Sequence, residues 1–243
     1  MPPLPIRPRR LRQSEAIRRL VREHAVSPAH LLIDADPADV TAKGPSLSGF
    51  GGLWMSVSND LVAAAAAVEE ARHAAGEEGC LAVDLRACTI EPLEAARRMR
   101  AAGADLIAVS GRDCCAVRDG LEADGEVNAI IVACASFPLD VPDAEPSCPA
   151  EASDWVSAGA DMVLIEPALP NLDRLRAASE ALPVPVMARI TPQELASYGA
   201  AFERGWLDEA KIPGEVLVSV IRAGARVVVV PRAWALAMAE SGS

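Results

Sequence analysis

The sequence predicts an α/β fold: a shortened (β/α)₈ barrel (TIM barrel) over residues 29–243, preceded by a helical arm at 1–28. Three observations carry that reading. Eight short apolar runs, nearly continuous rather than alternating, are separated by helical patterns. Strands of that kind, joined by helices, belong to a parallel sheet covered on both faces. Second, three similar phrases precede strands: Ala102-Gly103-Ala104-Asp105, Ala158-Gly159-Ala160-Asp161 and Ala223-Gly224-Ala225-Arg226. In each, the glycine suits the left-handed residue that ends a helix. Third, the 243 residues come close to the roughly 250 of one such barrel.

Each element follows from local pattern. Within the arm, 14–24 is an amphipathic helix with Ser14 as N-cap, Ile17, Leu20 and Val21 on one face and arginines on the other. The strands are expected at 31–35, 53–57, 81–85, 105–109, 129–134, 162–166, 184–188 and 226–230. Helices are expected at 59–75, 91–102, 114–123, 150–158, 171–181, 192–204, 213–223 and 232–240. Two stretches lack periodicity. The Pro/Gly/Ser segment 37–52 separates the first two strands, and 137–149 crosses the C-terminal face as a long loop.

Composition removes several classes of function. With 51% apolar and 23% charged residues the chain is not disordered. Its longest apolar run, 61–68, is far short of the roughly 20 residues of a membrane span. The first residues lack the apolar stretch of a signal peptide. Six dispersed cysteines read as reduced thiols, which places the protein in a cytoplasm. The arm carries a net charge of +5 and the remainder −16. A basic arm on an acidic body can dock on another copy of that body. It contains no aromatic residue and no base-reading motif, which argues against nucleic acid. There are 21 arginines but only two lysines, Lys43 and Lys211, so Schiff-base chemistry has few possible sources.

Several phrases resemble the porphobilinogen synthase (5-aminolevulinate dehydratase) family. The opening from Arg7 through Leu20-Val21-Arg22-Glu23 to Ser27-Pro28 is similar to that family's N-terminal arm. Glu166-Pro167-Ala168-Leu169-Pro170-Asn171-Leu172-Asp173 resembles its VKPALPYLD segment. Gly205-Trp206-Leu207-Asp208-Glu209 and Ser219-Val220-Ile221-Arg222-Ala223-Gly224-Ala225 resemble its GWIDEE and SIKRAGA phrases. The resemblance covers about two-thirds of the chain. It implies a (β/α)₈ barrel whose arm wraps a neighbouring subunit. It also implies an activity that joins two 5-aminolevulinate molecules through two lysine imines, with zinc or magnesium in many members.

The departures fall on that chemistry. The lysine of VKPAL falls on Glu166, and the lysine ending the fifth strand falls on Ser136. The family's YQVSGEY segment reads Arg189-Ile190-Thr191-Pro192-Gln193-Glu194-Leu195, and its final-strand tyrosine becomes Pro231. The cysteine-rich zinc loop is reduced to Asp84-Leu85-Arg86-Ala87-Cys88. One cysteine cannot supply the three or four ligands of zinc, so no metal or other cofactor is expected.

The expected function is that of a porphobilinogen synthase-like protein that has lost the condensation and forms homo-oligomers through its arm, with mixed assembly with an active synthase as an extension. Two alternatives remain: an enzyme using different chemistry in a remodelled mouth, or a residual synthase. The candidate site residues are Glu166 and Ser136 at the lysine positions, with Asp84 and Arg232 as ligand-binding neighbours. Glu166 is either a general base or a carboxylate paired with Arg112, Arg189 or Arg232. Cys88, Cys114, Cys115 and Cys134 could meet at one rim around a soft metal, or simply be buried thiols. Glu194 could touch an interface metal or favour the start of its helix.

Overall fold

A computed structural model describes residues 26–36, 49–75, 79–137 and 148–241, with backbone alone at 148–150 and 237–241. The arm helix expected at 14–24, Lys43 and most of the 137–149 loop lie outside these residues.

Eight parallel strands close into a barrel in chain order: β1 (Leu31–Ala35), β2 (Gly52–Ser56), β3 (Cys80–Asp84), β4 (Leu106–Ser110), β5 (Ile130–Ser136), β6 (Met162–Glu166), β7 (Val186–Arg189) and β8 (Val227–Pro231). Around them run α1 (Leu61–Ala75), α2 (Pro92–Ala101), α3 (Cys114–Ala123), α4 (Cys148–Ser157), α5 (Leu172–Ala181), α6 (Pro192–Glu203), α7 (Ile212–Arg222) and α8 (Arg232–Ser241). The eight strands and eight helices expected for the barrel are present, with ends displaced by at most two residues. Short 3₁₀ turns at Pro28–His30, Gly111–Asp113 and Leu169–Asn171 were not expected.

Alternation along each strand makes two cores. Residues such as Ile33, Val83, Ile107, Ile131 and Val230 point outward and pack under the helices. Leu32, Trp54, Ala82, Ala108, Val132, Cys134, Leu164, Met187 and Val229 fill the lumen. Trp54 is fully buried there, and its register partner on β3 is Ala82. A large side chain facing small ones is how a lumen fills without voids or overlap.

The three alanine–glycine phrases end helices as expected. Gly103, Gly159 and Gly224 adopt φ of 100°, 100° and 115°, values that a side chain would strain. Two of the phrases also lock the N-terminal face. The Asp105 carboxylate accepts from the Leu81 backbone N–H at 2.8 Å and from Arg72 at 2.6 Å. Asp161 repeats this with the Ile131 N–H at 2.8 Å and with Arg118. Each aspartate at the start of one strand thus satisfies a backbone donor at the start of the previous one. Arg226 takes the third such position: its N–H donates to the Val186 carbonyl just as those of Asp105 and Asp161 donate to Leu81 and Ile131, but it has no carboxylate to accept a bond in return.

Replacing Asp105 or Asp161 by alanine leaves a backbone donor unsatisfied and is expected to cost about 1–2 kcal/mol each. Asp124→Ala removes only the exposed pair with Arg97 and is expected to cost under about 1 kcal/mol. Urea unfolding of the three variants checks this order.

Candidate functional site

One step up from the lumen, the same alternation points Asp34, Ser56, Asp84, Ser110, Ser136, Glu166 and Arg189 inward at the strand ends. This is the face on which barrel enzymes carry their chemistry. Ser136 and Glu166 are direct register partners on β5 and β6, so the two residues expected from the sequence to form the site meet. The Ser136 hydroxyl donates to Glu166 Oε1 at 2.7 Å.

Arg86, two residues beyond β3, fixes this pair. Its Nε and a terminal nitrogen clamp the two oxygens of Asp84 at 2.9 and 2.6 Å, and its backbone N–H adds a bond to Asp84 Oδ1 at 3.1 Å. The other terminal nitrogen donates to Ser136 Oγ at 2.8 Å and to Glu166 Oε1. Arg189 closes the lattice from β7. It donates to Glu166 Oε2 at 3.3 Å and twice to Asp34 Oδ2, at 2.8 and 3.2 Å. It also lies 3.7 Å from Asp84. The guanidinium stands 5.9 Å over the Trp54 ring. The Trp54 indole N–H has no partner among the described residues; the arginine above it is likewise only a donor.

Three carboxylates and two guanidiniums therefore share one half-dry cluster, with side-chain exposures between 4% and 18%. Burial pushes the Glu166 carboxyl upward, but the bonds and charge of Arg86, the Ser136 hydroxyl and Arg189 more than offset it, so it stays below the usual range. Asp34 goes the other way. Burial raises it, Arg189 opposes that, and the neighbouring charges of Asp84 and Glu166 raise it further. Glu166 is consequently a weak base. The Ser136 hydroxyl both donates to a carboxylate and accepts from a cation, which leaves it poorly placed as a nucleophile.

Arg189 is one of the three arginines considered as a partner of Glu166. Arg86 and Asp34 were missed. Asp34 could have been found from alternation with the inward Leu32, and Arg86 from its two-residue spacing to Asp84. Arg232 opens α8 immediately after β8, at the rim of the same mouth. Glu194 is buried and accepts from the Thr191 N–H at 2.6 Å, the Thr191 hydroxyl at 2.9 Å and the Leu169 N–H at 2.8 Å. It completes a capping box and ties α6 to the turn after β6. Cys134 is buried, and burial holds its thiol well above the ordinary value despite Arg86. Cys114 is likewise pushed up to about 12, chiefly by burial. Among the described residues no three His, Cys, Asp or Glu side chains gather as a metal site. No helix among them is long and apolar enough to cross a membrane.

Comparison with known proteins bears on this site. Residues 134–239, which include Ser136 and Glu166, match the family model for delta-aminolevulinic acid dehydratase. The delta-aminolevulinic acid dehydratase of Mycobacterium tuberculosis is 26% identical over 307 aligned positions, covering 91% of this chain and 93% of that one. The Streptomyces coelicolor protein of the same name is 46% identical over 68 residues, covering 28% of this chain and 21% of its own. In fold, the chain is similar to the Toxoplasma gondii delta-aminolevulinic acid dehydratase determined with porphobilinogen, with a TM-score of 0.78, 23% identity and coverage of 97% and 92%. A phosphonomutase-like protein from Burkholderia cenocepacia shares the barrel more distantly, with a TM-score of 0.57, 15% identity and coverage of 88% and 91%.

Charge counting ranks the expected variants. Arg86→Met leaves three carboxylates facing one guanidinium, and is expected to cost about 3–5 kcal/mol at neutral pH. Glu166→Gln balances the remaining charges and is expected to cost about 1–2 kcal/mol. Because the folded Glu166 value is depressed, its contribution is complete above the ordinary value of 4.5 and is lost as pH falls through the lower folded value. Urea midpoints of wild type and Glu166→Gln should therefore converge in acid. A gap that stays constant from neutral pH into that range contradicts the assignment.

Proposed function

We propose that the chain, whose residues 134–239 match the delta-aminolevulinic acid dehydratase (porphobilinogen synthase) family model, is a homologue of that family that has lost 5-aminolevulinate condensation and acts as a non-catalytic, self-assembling protein. The observation that supports this reading is the hydrogen-bonded Ser136–Glu166–Arg86 cluster, at the two positions to which the sequence resemblance assigns the family's imine-forming lysines. Imine formation requires an unprotonated amine, and a hydroxyl and a carboxylate offer none. Lys211 is no substitute. It is 74% exposed and paired with Asp208 at 2.6 Å, and the Asp208 hydrogen bond and charge raise its pKa, keeping it protonated.

The metal of the family does not fit these residues either. The segment from Asp84 to Cys88 brings a single thiol, and its Asp84 carboxylate is already held by Arg86. The depressed Glu166 carboxyl disfavours Glu166 as the general base of a different reaction in the mouth.

Assembly is supported by the charge pattern, with +5 on residues 1–28 and −16 on the rest. An arm laid over another copy brings opposite charges together and covers Leu11, Ile17, Leu20 and Val21. Each such side chain contributes roughly 1.5–3 kcal/mol on burial. Ordering the segment costs about 1–2 kcal/mol per residue, so a short arm helix is stable only when docked. The partner is a second copy or, by extension, a lysine-bearing synthase. The setting proposed for this assembly is the cytoplasm.

Incubation with 5-aminolevulinate, with and without zinc or magnesium, is expected to yield no porphobilinogen. Formation of product at an enzymatic rate overturns the loss of condensation. Light scattering is expected to find a dimer or larger assembly for the full chain, and a smaller, still folded particle after removal of residues 1–28. A full-length monomer at micromolar concentration contradicts assembly.

A further inference from the structure

Beside the ion lattice, a cavity of about 510 Å³ opens between the ends of β3, β4 and β5 and the start of α4. That volume is typical of small-molecule sites. Its walls are of two kinds. Leu85, Val109, Phe137 and Trp155 give an apolar side, and Arg86, Ser110, Arg112 and Ser136 give a polar one. Trp155 is held there by shape. Its indole lies flush on the backbone of Gly111, where any Cβ would collide with the ring. The Phe137 ring is covered by the Arg174 guanidinium at 4.1 Å.

The charges on the lining are not equivalent. Arg86 is neutralised by Asp84 and Glu166. Asp113 and Glu151 also line the cavity. Asp113 stands at the N-cap position of α3, without a side-chain bond to that helix, and Glu151 lies in the first turn of α4, so each carboxylate is near the positive end of a helix dipole that offsets part of its charge. Arg112 differs. Its Nε is held by Ser110 Oγ at 3.3 Å, and its two terminal nitrogens have no partner among the described residues. The cavity thus presents an available guanidinium fork beside an indole wall.

We infer that this cavity binds a small monocarboxylate with an apolar or aromatic body, the carboxylate on Arg112 and the body against Trp155. A guanidinium matches a carboxylate with two parallel hydrogen bonds. The indole and Leu85 supply the apolar contact. Asp113 and Glu151 select against a second negative charge, so a dianion such as phosphate is disfavoured.

Phenylacetate tests this as a probe. It lacks a ketone and cannot condense, so its binding reads the cavity whatever becomes of the lost-condensation proposal. Titration calorimetry on the full chain is expected to show saturable binding with one site per chain. Phenylacetamide, phenethylamine and inorganic phosphate are expected to bind at least about tenfold more weakly. Arg112→Gln should lose the binding by a similar factor, Arg112→Lys should recover part of it, and Glu151→Gln should strengthen it. Trp155→Phe should remove the accompanying change in tryptophan fluorescence. The inference is overturned by phenylacetate failing to saturate at millimolar concentration, by equal binding of the amide, or by unchanged binding in Arg112→Gln when its circular dichroism matches wild type.

Discussion

The guanidinium of Arg86 is the piece on which the mouth of this barrel depends. It reaches Asp84 at the end of β3, then Ser136 and Glu166 on β5 and β6, and so spans half the ring from one loop position. Three inward carboxylates on converging strands repel one another. A planar cation with several donors can satisfy two of them and a hydroxyl at once, which a lysine ammonium on its flexible stem does less well. Arg189 performs the complementary task between Glu166 and Asp34. The outcome is a charge-paired layer over the lumen, built from Asp34, Asp84, Arg86, Glu166 and Arg189.

The two faces of the barrel use ion pairs differently. On the N-terminal face, Asp105 and Asp161 each bind one arginine and one backbone donor, and neither cluster communicates with the other. Those pairs are local fasteners of consecutive units. On the C-terminal face, five charged groups are linked, so removing any one changes the balance for all the others. Burial pushes both the Glu166 and Asp34 carboxyls upward; Arg86, Ser136 and Arg189 hold Glu166 below its usual range, whereas Arg189 only partly opposes the rise of Asp34. The same lattice borders the cavity at Arg112, because Arg86 and Ser136 belong to both.

Much of the fold was legible because its signals are local. Continuous apolar runs gave the strands, and the glycines at 103, 159 and 224 marked the helix ends. Period-two alternation on β5 and β6 placed Ser136 and Glu166 inward, and the register set them side by side. The lattice itself was only partly legible. Arg86 meets Ser136 and Glu166 across 50 and 80 residues, and Arg189 meets Asp34 across 155. Those meetings follow from barrel closure, which no local pattern encodes. Glu194 was read as a helix-start acid. Its second role, holding the Leu169 N–H, needed the tertiary structure.

Borohydride reduction of the protein in the presence of 5-aminolevulinate, followed by mass spectrometry of its peptides, detects an imine even where no product is released. With condensation lost, the peptides bearing Ser136 and Glu166 keep their unmodified masses and no lysine in the chain is alkylated. A stable substrate adduct on Lys43 or Lys211 would contradict that loss.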